Sequence, residues 1–487
     1  MTVGKPAGIA GSWSIWIRPR ASLQPQAAHE RLPAVTEHSS APSDPYIRVR
    51  RNYLFGLFTA DFGQGMTNLT SSFLIYQQTG KVSFVALIIV MTNLPQLLLP
   101  TVATRLAHRL GGPKLYVLTW GGSYTLLLVP FALALTGHLT TLTLLGWFLL
   151  QGVVQGLGSP AAGIVRTLIA PPGGSAVFNG KAVRAMSAAL MFGILTGGAL
   201  LAIVGPGWIY FIACLAGYPL VLSVVPLLRT ARVETATAPS RFFDVFDVRR
   251  SNPEIRAAFR FTFIIFLLGG YYVTLPDIAS RIGHRAMILS SLQAAAVFGG
   301  MFVVIGVRLI HQRATWLAVQ RACIGVVGVA TLYLGWVAFR DHQPIWYLAT
   351  AIVAIIPLGF ALNLDSAVLN AAVQVAAPPE SRTPVLTAFA LIPLVALPAS
   401  ELVVGAIADL ASVSLALMML GGLTLVLVLL PRHGSMRAAM TSLDDEHVFP
   451  ESELGFATTI GAIKDAGQEI ADQVIGPEIP FIEERER

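Results

Sequence analysis

The stretch that decides the fold runs from Gln151 to Gly198 and reads QGVVQGLGSPAAGIVRTLIAPPGGSAVFNGKAVRAMSAALMFGILTGG. It reads as an apolar helix with a polar stripe, a turn at Pro171-Pro172, and a second apolar helix with a glycine-rich end. The turn recurs 207 positions later, because LIAPP at 168–172 is matched by VAAPP at 375–379. A period of this length is too long for a solenoid repeat, so it indicates two halves built on one plan.

The composition indicates that most of the chain lies in a lipid bilayer. Apolar residues make up 54% of the 487 residues and charged residues 12%, against about 25% charged in soluble proteins. The apolar residues occur in blocks of about 20, the length that crosses ~30 Å of hydrocarbon. We therefore predict an all-α membrane protein with 12 transmembrane helices in two six-helix halves. The predicted spans are 53–77, 82–104, 115–137, 142–168, 181–204, 207–228, 257–279, 286–307, 317–339, 345–373, 384–408 and 411–431.

The distribution of Lys and Arg predicts the orientation. With both termini in the cytosol, the inner segments hold 22 of these residues, whereas the outer loops hold four, namely Lys81, Arg281, Arg285 and Arg340. This asymmetry is the pattern expected of cytosolic inner loops. The high pI of 9.6 is thereby explained without nucleic acid. Both cysteines, Cys214 and Cys323, fall within spans, so we expect free thiols.

The segments outside the spans predict the domain organisation. Residues 1–47 are expected to form a disordered cytosolic tail, and 48–228 the N-terminal six-helix half. Residues 229–256 are expected to form a cytosolic linker whose 241–250 part is a helix on the membrane surface. The C-terminal half spans 257–431. The cytosolic tail 432–487 is acidic, with twelve Asp or Glu against five Lys or Arg.

Polar residues within two spans of the first half are candidates for a cavity wall. Asp61, Gln64, Gly65, Asn68 and Ser72 share one face of span 1, since a helix advances 100° per residue. Such a stripe should face a cavity or another helix rather than lipid. Span 4 carries Gln151, Gln155 and Ser159 at i, i+4 and i+8, backed by Gly152 and Gly156. A hydrogen-bonded packing seam is the alternative for both spans, and for span 4 the two are equally favoured.

Acidic residues within spans are candidates for proton coupling. The candidates are Asp61 in span 1, Asp365 near the middle of span 10 and Glu401 deep in span 11. Asn363 and Asn370, on either side of Asp365, are further candidates for the substrate cavity. A buried carboxyl favours its neutral form, so it can bind and release a proton during a transport cycle. The alternative is a carboxyl that only holds helices together. Asp277 and Asp409 lie near outer ends, where we expect solvation.

Several short motifs carry a family resemblance over residues 48–432. They are RNY at 51–53, LIYQQTG at 74–80, SPA at 159–161, NPEIR at 252–256, and the series Asn370, Gln374, Pro378, Glu380 and Arg382. In this order the chain resembles the major facilitator superfamily, specifically the bacterial exporters that include the enterobactin exporter and macrolide efflux proteins. The resemblance implies location in the bacterial plasma (inner) membrane as a multi-pass protein.

The loop between spans 2 and 3 departs from the family pattern. The superfamily usually has an acidic residue there, and TRLAHRLGGP at 104–113 has His108 in its place. Arg308, His311 and Arg313 echo this loop in the second half. We expect Arg105, His108, Arg109, Arg308, His311 and Arg313 to form the cytosolic gate, although a neutral histidine cannot supply the usual charge pairing.

Together these features predict secondary active transport, specifically proton-coupled efflux of a small amphipathic compound such as a drug-like molecule or a siderophore. No metal spacing, phosphate-binding loop or nucleophile motif occurs, so we expect no enzyme activity, cofactor or metal. The expected partners are a small-molecule substrate, protons and the lipid bilayer, with no nucleic acid, and the expected state is a monomer. The alternative is a membrane sensor or assembly partner that retains the fold without transporting.

Overall fold

The computed structural model describes residues 46–171, 175–228, 252–283, 285–303, 306, 315–340, 344–377 and 382–429. Several predicted features lie outside these residues. They are the N-terminal tail up to residue 45, the surface helix at 241–250, the acidic tail, and the gate residues Arg308, His311 and Arg313.

The first half consists of helices that follow the six predicted spans in order. Span 1 is Ile47–Thr79, span 2 is Val82–Leu98 with Pro100–Leu110, and span 3 is Gly112–Thr125 with Leu128–Leu135. Span 4 is Thr141–Ile169. Spans 5 and 6 form Ser175–Val224, which is broken at Gly205, where φ is 79°. A 3-10 turn, Val225–Leu228, follows.

The second half repeats this plan. Span 7 comprises Pro253–Leu267, the 3-10 turn Tyr272–Thr274 and Leu275–Ile282. Spans 8, 9 and 10 are Ala286–Met301, Trp316–Val337 and Trp346–Ala376. Span 11 is Arg382–Ala390 with Ile392–Leu410, and span 12 is Val413–Leu429. The described helices match the twelve predicted spans, and the all-α membrane fold is confirmed.

Among the described residues, the criteria of helix length and hydropathy identify fewer membrane crossings than the twelve that the helices correspond to. Seven helices meet both criteria, or eight if the bent pair in span 2 counts as one. Phe178–Leu228, at 51 residues, is long enough to cross twice, because one crossing needs about 20 residues. Ala286–Met301 and Val413–Leu429 are apolar but shorter. Span 1 has the length, but its polar stripe lowers its mean hydropathy.

The helix bundle has two ends, which we name the terminal end and the distal end. The terminal end contains Tyr46, where the described chain begins, and Leu429, where it finishes. The distal end contains Thr79 at the end of span 1 and Leu410 at the end of span 11. Under the predicted orientation the terminal end is cytosolic.

Proline and glycine break two spans that the sequence predicted as continuous. The two helices of span 2 are bent by 61°, and Pro100 begins the second one, because proline lacks the N–H that a continuous helix requires. Span 7 is interrupted around Gly269 and Gly270. A Cβ atom at Gly270 would lie 3.0 Å from the Ser400 carbonyl carbon, so this break brings span 7 close to span 11.

Glycines allow spans 1 and 5 to pack backbone against backbone. A Cβ atom at Gly193 would overlap the carbonyl oxygen of Phe62, and one at Gly197 would lie 2.9 Å from the Cα atom of Met66. Gly65 on span 1 faces the Leu190 carbonyl in the same way. The glycine-rich end of span 5 is therefore a packing surface, as expected for small residues between membrane helices.

Replacing Gly193 with valine should destabilise the bundle by about 1–3 kcal/mol, since the added atoms require spans 1 and 5 to separate. Gly146→Val is the matched control, because nothing lies within 4 Å of a Cβ atom at that position. Thermal unfolding of the purified variants in detergent measures the difference. Equal melting temperatures for the two variants would contradict the packing described here.

Candidate functional site

A cavity of about 200 Å³ lies mainly within the first half and is completed by the second half. Spans 1, 2, 3, 4 and 6 supply most of its wall, and Tyr272, Val273 and Gln293 supply the part from spans 7 and 8. Its non-aromatic polar side chains are Gln64, Thr67, Asn68, Ser72, Thr92, Asn93, Ser123, Gln151, Gln155 and Gln293. A concave site with aromatic walls and a few polar groups is typical of small-molecule binding.

The polar stripe of span 1 divides between the cavity and the neighbouring helices. Gln64, Asn68 and Ser72 line the cavity, whereas Gly65 packs against span 5. Asp61 is half-buried and is not part of the described lining. Arg166 of span 4 acts electrostatically on Asp61, and Asp61 in turn acts on Tyr124 of the lining.

The two faces of span 4 serve different purposes. Gly152 and Gly156 pack on span 2, where a Cβ atom at Gly156 would lie 3.0 Å from the Cα atom of Gln96. Gln151 and Gln155 line the cavity. In this structure the glycines of span 4 therefore pack against span 2, and the glutamines line the cavity.

Span 3 fixes the side chain of Gln151. Ser123 Oγ donates a hydrogen bond to Gln151 Oε1 at 2.6 Å, and Gln151 Nε2 donates to the Ser123 carbonyl at 3.0 Å. Gln155 is held less closely, since Gln96 Nε2 lies 3.5 Å from its Oε1 atom. Both the oxygen and the nitrogen of the Gln151 amide are thus hydrogen-bonded within the protein, whereas the Gln155 amide retains N–H donors for a bound molecule.

Glu401 is buried beside the interruption in span 7. Its side chain is 1% exposed, and it acts electrostatically on Tyr271 and Tyr272. Among the described residues, its Oε2 atom has no hydrogen-bond partner. Tyr272 also lines the cavity.

Asp365 lies in a different part of the second half. It borders a small apolar pocket with Cys323, Thr424 and Leu427, within spans 7, 9, 10 and 12. Its side chain is 2% exposed and is not part of the lining described for the larger cavity. None of the three candidate acids, Asp61, Asp365 and Glu401, belongs to the described lining of the larger cavity.

The amides of span 10 are engaged within their own half. Asn363 Nδ2 donates to the Gly359 carbonyl at 2.8 Å, and Asn363 also faces Gly300 of span 8. Asn370 Oδ1 accepts from Gln374 Nε2 at 2.6 Å. Neither Asn363 nor Asn370 belongs to the described lining of the cavity.

Two aspartates join the halves at the distal end. The expected solvation is wrong for Asp277, whereas Asp409 is exposed as expected. Asp277 is buried, accepting from Tyr76 Oη at 2.6 Å and from Arg281 Nε at 2.7 Å. Asp409 accepts from the backbone N–H groups of Val82 at 2.8 Å and Ser83 at 3.1 Å, and from Ser83 Oγ. We call these bonds between Asp409, Val82 and Ser83 the distal contact.

The distal contact caps the start of span 2 from the other half of the molecule. Lys81 occupies the N-cap position and makes no side-chain capping bond. The first N–H groups of a helix lack partners within the helix, and they favour a negative charge nearby. Asp409 satisfies both requirements. The sequence signal for this contact is that span 2 begins without a capping side chain. That signal does not identify Asp409 as the residue that caps it.

The first-half gate residues lie at the terminal end. His108 and Arg109 are in the last turn of Pro100–Leu110, and Arg105, His108 and Arg109 are all exposed. Basic side chains at this position favour the negative end of the helix dipole. Their role in gating stays a prediction.

Comparisons with known proteins agree with this architecture. A family model described as Major Facilitator Superfamily matches residues 53–396. No curated protein matches the chain. Solved structures with similar folds include the nucleoside transporter NupG, with 11% identity, a TM-score of 0.60, and coverage of 82% of this chain and 99% of that one.

Two further solved structures share the fold. A bacterial homologue of the iron transporter ferroportin, in an inward-facing state, has 15% identity, a TM-score of 0.60, and coverage of 81% and 98%. An auto-inhibited POT family peptide transporter has 16% identity, a TM-score of 0.58, and coverage of 78% and 95%.

Removing the distal contact should shift the molecule toward states that are open at the distal end. Asp409→Ala removes an acceptor for three donors, whereas Ser83→Ala removes one donor and leaves both backbone bonds. We expect a larger shift for Asp409→Ala than for Ser83→Ala. Spin labels at His138 and Arg285, on distal loops of different halves, report the distance distribution. Distributions identical to that of the unsubstituted protein would contradict a role for this contact.

Proposed function

The chain belongs to the Major Facilitator Superfamily, and on that premise we propose that it exports small amphipathic compounds in exchange for protons. The observation that carries this proposal is the cavity, because both halves contribute to its wall. Secondary transporters of this kind bind their substrate near the membrane midplane and rock the two halves around the site. The substrate class and direction follow the resemblance to the enterobactin exporter and macrolide efflux branch.

The bonds between the halves support alternating access. The distal contact and the Tyr76–Asp277 bond hold the halves together at the distal end. Gly198 of span 5 also packs directly on Ser290 of span 8. Export requires these contacts to break, so that the cavity opens distally, and requires new contacts at the terminal end. We propose that Arg105, His108 and Arg109 take part in that second closure.

Asp61 and Glu401 are the proposed coupling residues. Each acts on a tyrosine that lines the cavity, Tyr124 for Asp61 and Tyr272 for Glu401. A charged carboxyl is costly in a dry interior, so its protonation lowers the barrier to a closed state. Each carboxyl group would therefore bind a proton on one side of the membrane and release it on the other as the protein passes from one closed state to the next.

The proposal also covers the membrane in which the protein acts, its oligomeric state and its orientation. We propose a multi-pass protein of the bacterial inner membrane that acts as a monomer, with both termini in the cytosol. The terminal end of the bundle, with its basic side chains, would then face the cytosol. The substrate would enter the cavity from that side and leave at the distal end.

Amide replacements at the two acids should abolish gradient-driven accumulation while preserving exchange. Asp61→Asn and Glu401→Gln mimic the protonated forms, so the halves can still close around substrate without moving protons. The measurement is uptake of labelled candidate solutes into vesicles that contain purified protein, under an imposed pH gradient. Counterflow exchange without a gradient, measured in parallel, shows that each variant is folded.

Asp365→Asn is the comparison variant for this experiment. Its carboxyl does not border the cavity, so normal accumulation would confine coupling to Asp61 and Glu401, and its loss would add a third residue. If both Asp61→Asn and Glu401→Gln still accumulate solute, neither residue couples transport to protons. If the unsubstituted protein exchanges no solute at all, the alternative of a non-transporting membrane protein is favoured.

A further inference from the structure

The wall of the cavity contains no formal charge in the residues that the structure describes. None of the described lining residues is Asp, Glu, Lys, Arg or His. The candidate acids Asp61 and Glu401 are not among the lining residues, although they act electrostatically on Tyr124 and Tyr272, which are. A charged molecule entering this site would lose water without gaining a direct counter-charge, which is unfavourable.

Two polar groups of lining residues have no hydrogen-bond partner in the described part of the protein. Gln293 is 1% exposed, and its Nε2 donates to Ser72 Oγ at 3.3 Å. Its Oε1 atom is a buried acceptor with no hydrogen-bond partner among the described residues. Trp120 Nε1 is a buried donor that likewise has none there. Buried polar groups in native proteins are usually paired, so an unpaired acceptor and an unpaired donor on one cavity wall point to a ligand.

Aromatic side chains form the apolar part of the same wall. Trp147 and Phe148 pack edge to face with ring centroids 4.6 Å apart, and both line the cavity with Tyr124 and Tyr272. Ring surfaces of this kind favour stacking or edge contacts with a flat apolar group.

We propose that the cavity selects an uncharged molecule with a flat ring, a hydrogen-bond donor for Gln293 and an acceptor for Trp120. This inference rests on the proposed function, since it names the substrate class of the same site. It excludes organic anions and cations of equal size as preferred substrates. Aromatic rings can also attract a cation, so a cationic probe is the more demanding comparison.

Three probes of matched shape test the selection. Indole-3-acetamide is neutral and offers an amide donor and acceptor, whereas indole-3-acetate is an anion and tryptamine a cation at neutral pH. Binding to the purified full-length protein in detergent is measured by calorimetry. We expect the amide to bind at least about tenfold more tightly than either charged probe, given the cost of a charge at this depth.

Substitutions at Gln293 test whether this side chain determines the preference for the neutral probe. Gln293→Leu should weaken amide binding by about tenfold, the effect of one lost hydrogen bond. Gln374→Leu is the matched control, because Gln374 bonds to Asn370 and lies outside the described lining. Gln293→Glu places an acid on the wall and should make tryptamine the preferred probe, a gain that misfolding cannot produce.

Four results would overturn the proposal. They are no amide binding at about 10 mM, equal binding of a charged probe, equal weakening by Gln374→Leu, and no gain of tryptamine binding by Gln293→Glu. Failure of the proposed function is distinguishable from these. Selective amide binding by a protein that moves no solute would reject transport alone, whereas gradient-driven accumulation of charged solutes would reject the selection alone.

Discussion

Backbone polar groups that enter hydrocarbon must be hydrogen-bonded inside the protein, and polar side chains must face the interior or a cavity rather than lipid. The rest of this structure follows from that constraint. Polar side chains of spans 1 and 4 turn toward a shared cavity, as Gln64 and Gln151 do. Glycines on the adjoining faces let backbones touch, as at Gly193 and Phe62. The same helices are thus held together on one face and open to a ligand on the other.

The constraint also gives the halves a means of separating. Bonds at the distal end join partners that water could satisfy equally well, such as the N–H groups of Val82 and Ser83 with Asp409. Breaking them toward solvent costs little net free energy, because exposed groups exchange protein partners for water. Glu401, by contrast, is enclosed, and we propose that it avoids a buried charge by binding a proton. In this proposal, movement and proton binding are linked through that difference.

Much of the fold could be predicted from sequence, because span length and polar periodicity are local properties. The stripes that contain Asn68 and Gln155 predicted the cavity wall in this way. Gln293 and Trp120 were missed, since a single polar or aromatic residue in an apolar helix gives no periodic signal. The contact of Asp409 was missed for another reason: its partners, Val82 and Ser83, lie more than 300 residues away in the chain. Such contacts depend on how the halves assemble.

The central claim is that solute movement and proton movement are one process in this protein. The most direct test is to record the pH inside vesicles loaded with a fluorescent indicator while a solute gradient is imposed and no pH gradient is present. Solute movement should drive protons in the opposite direction, and dissipating the solute gradient should stop both fluxes. Sustained solute flux with no change in internal pH, in protein that is otherwise active, would contradict the claim.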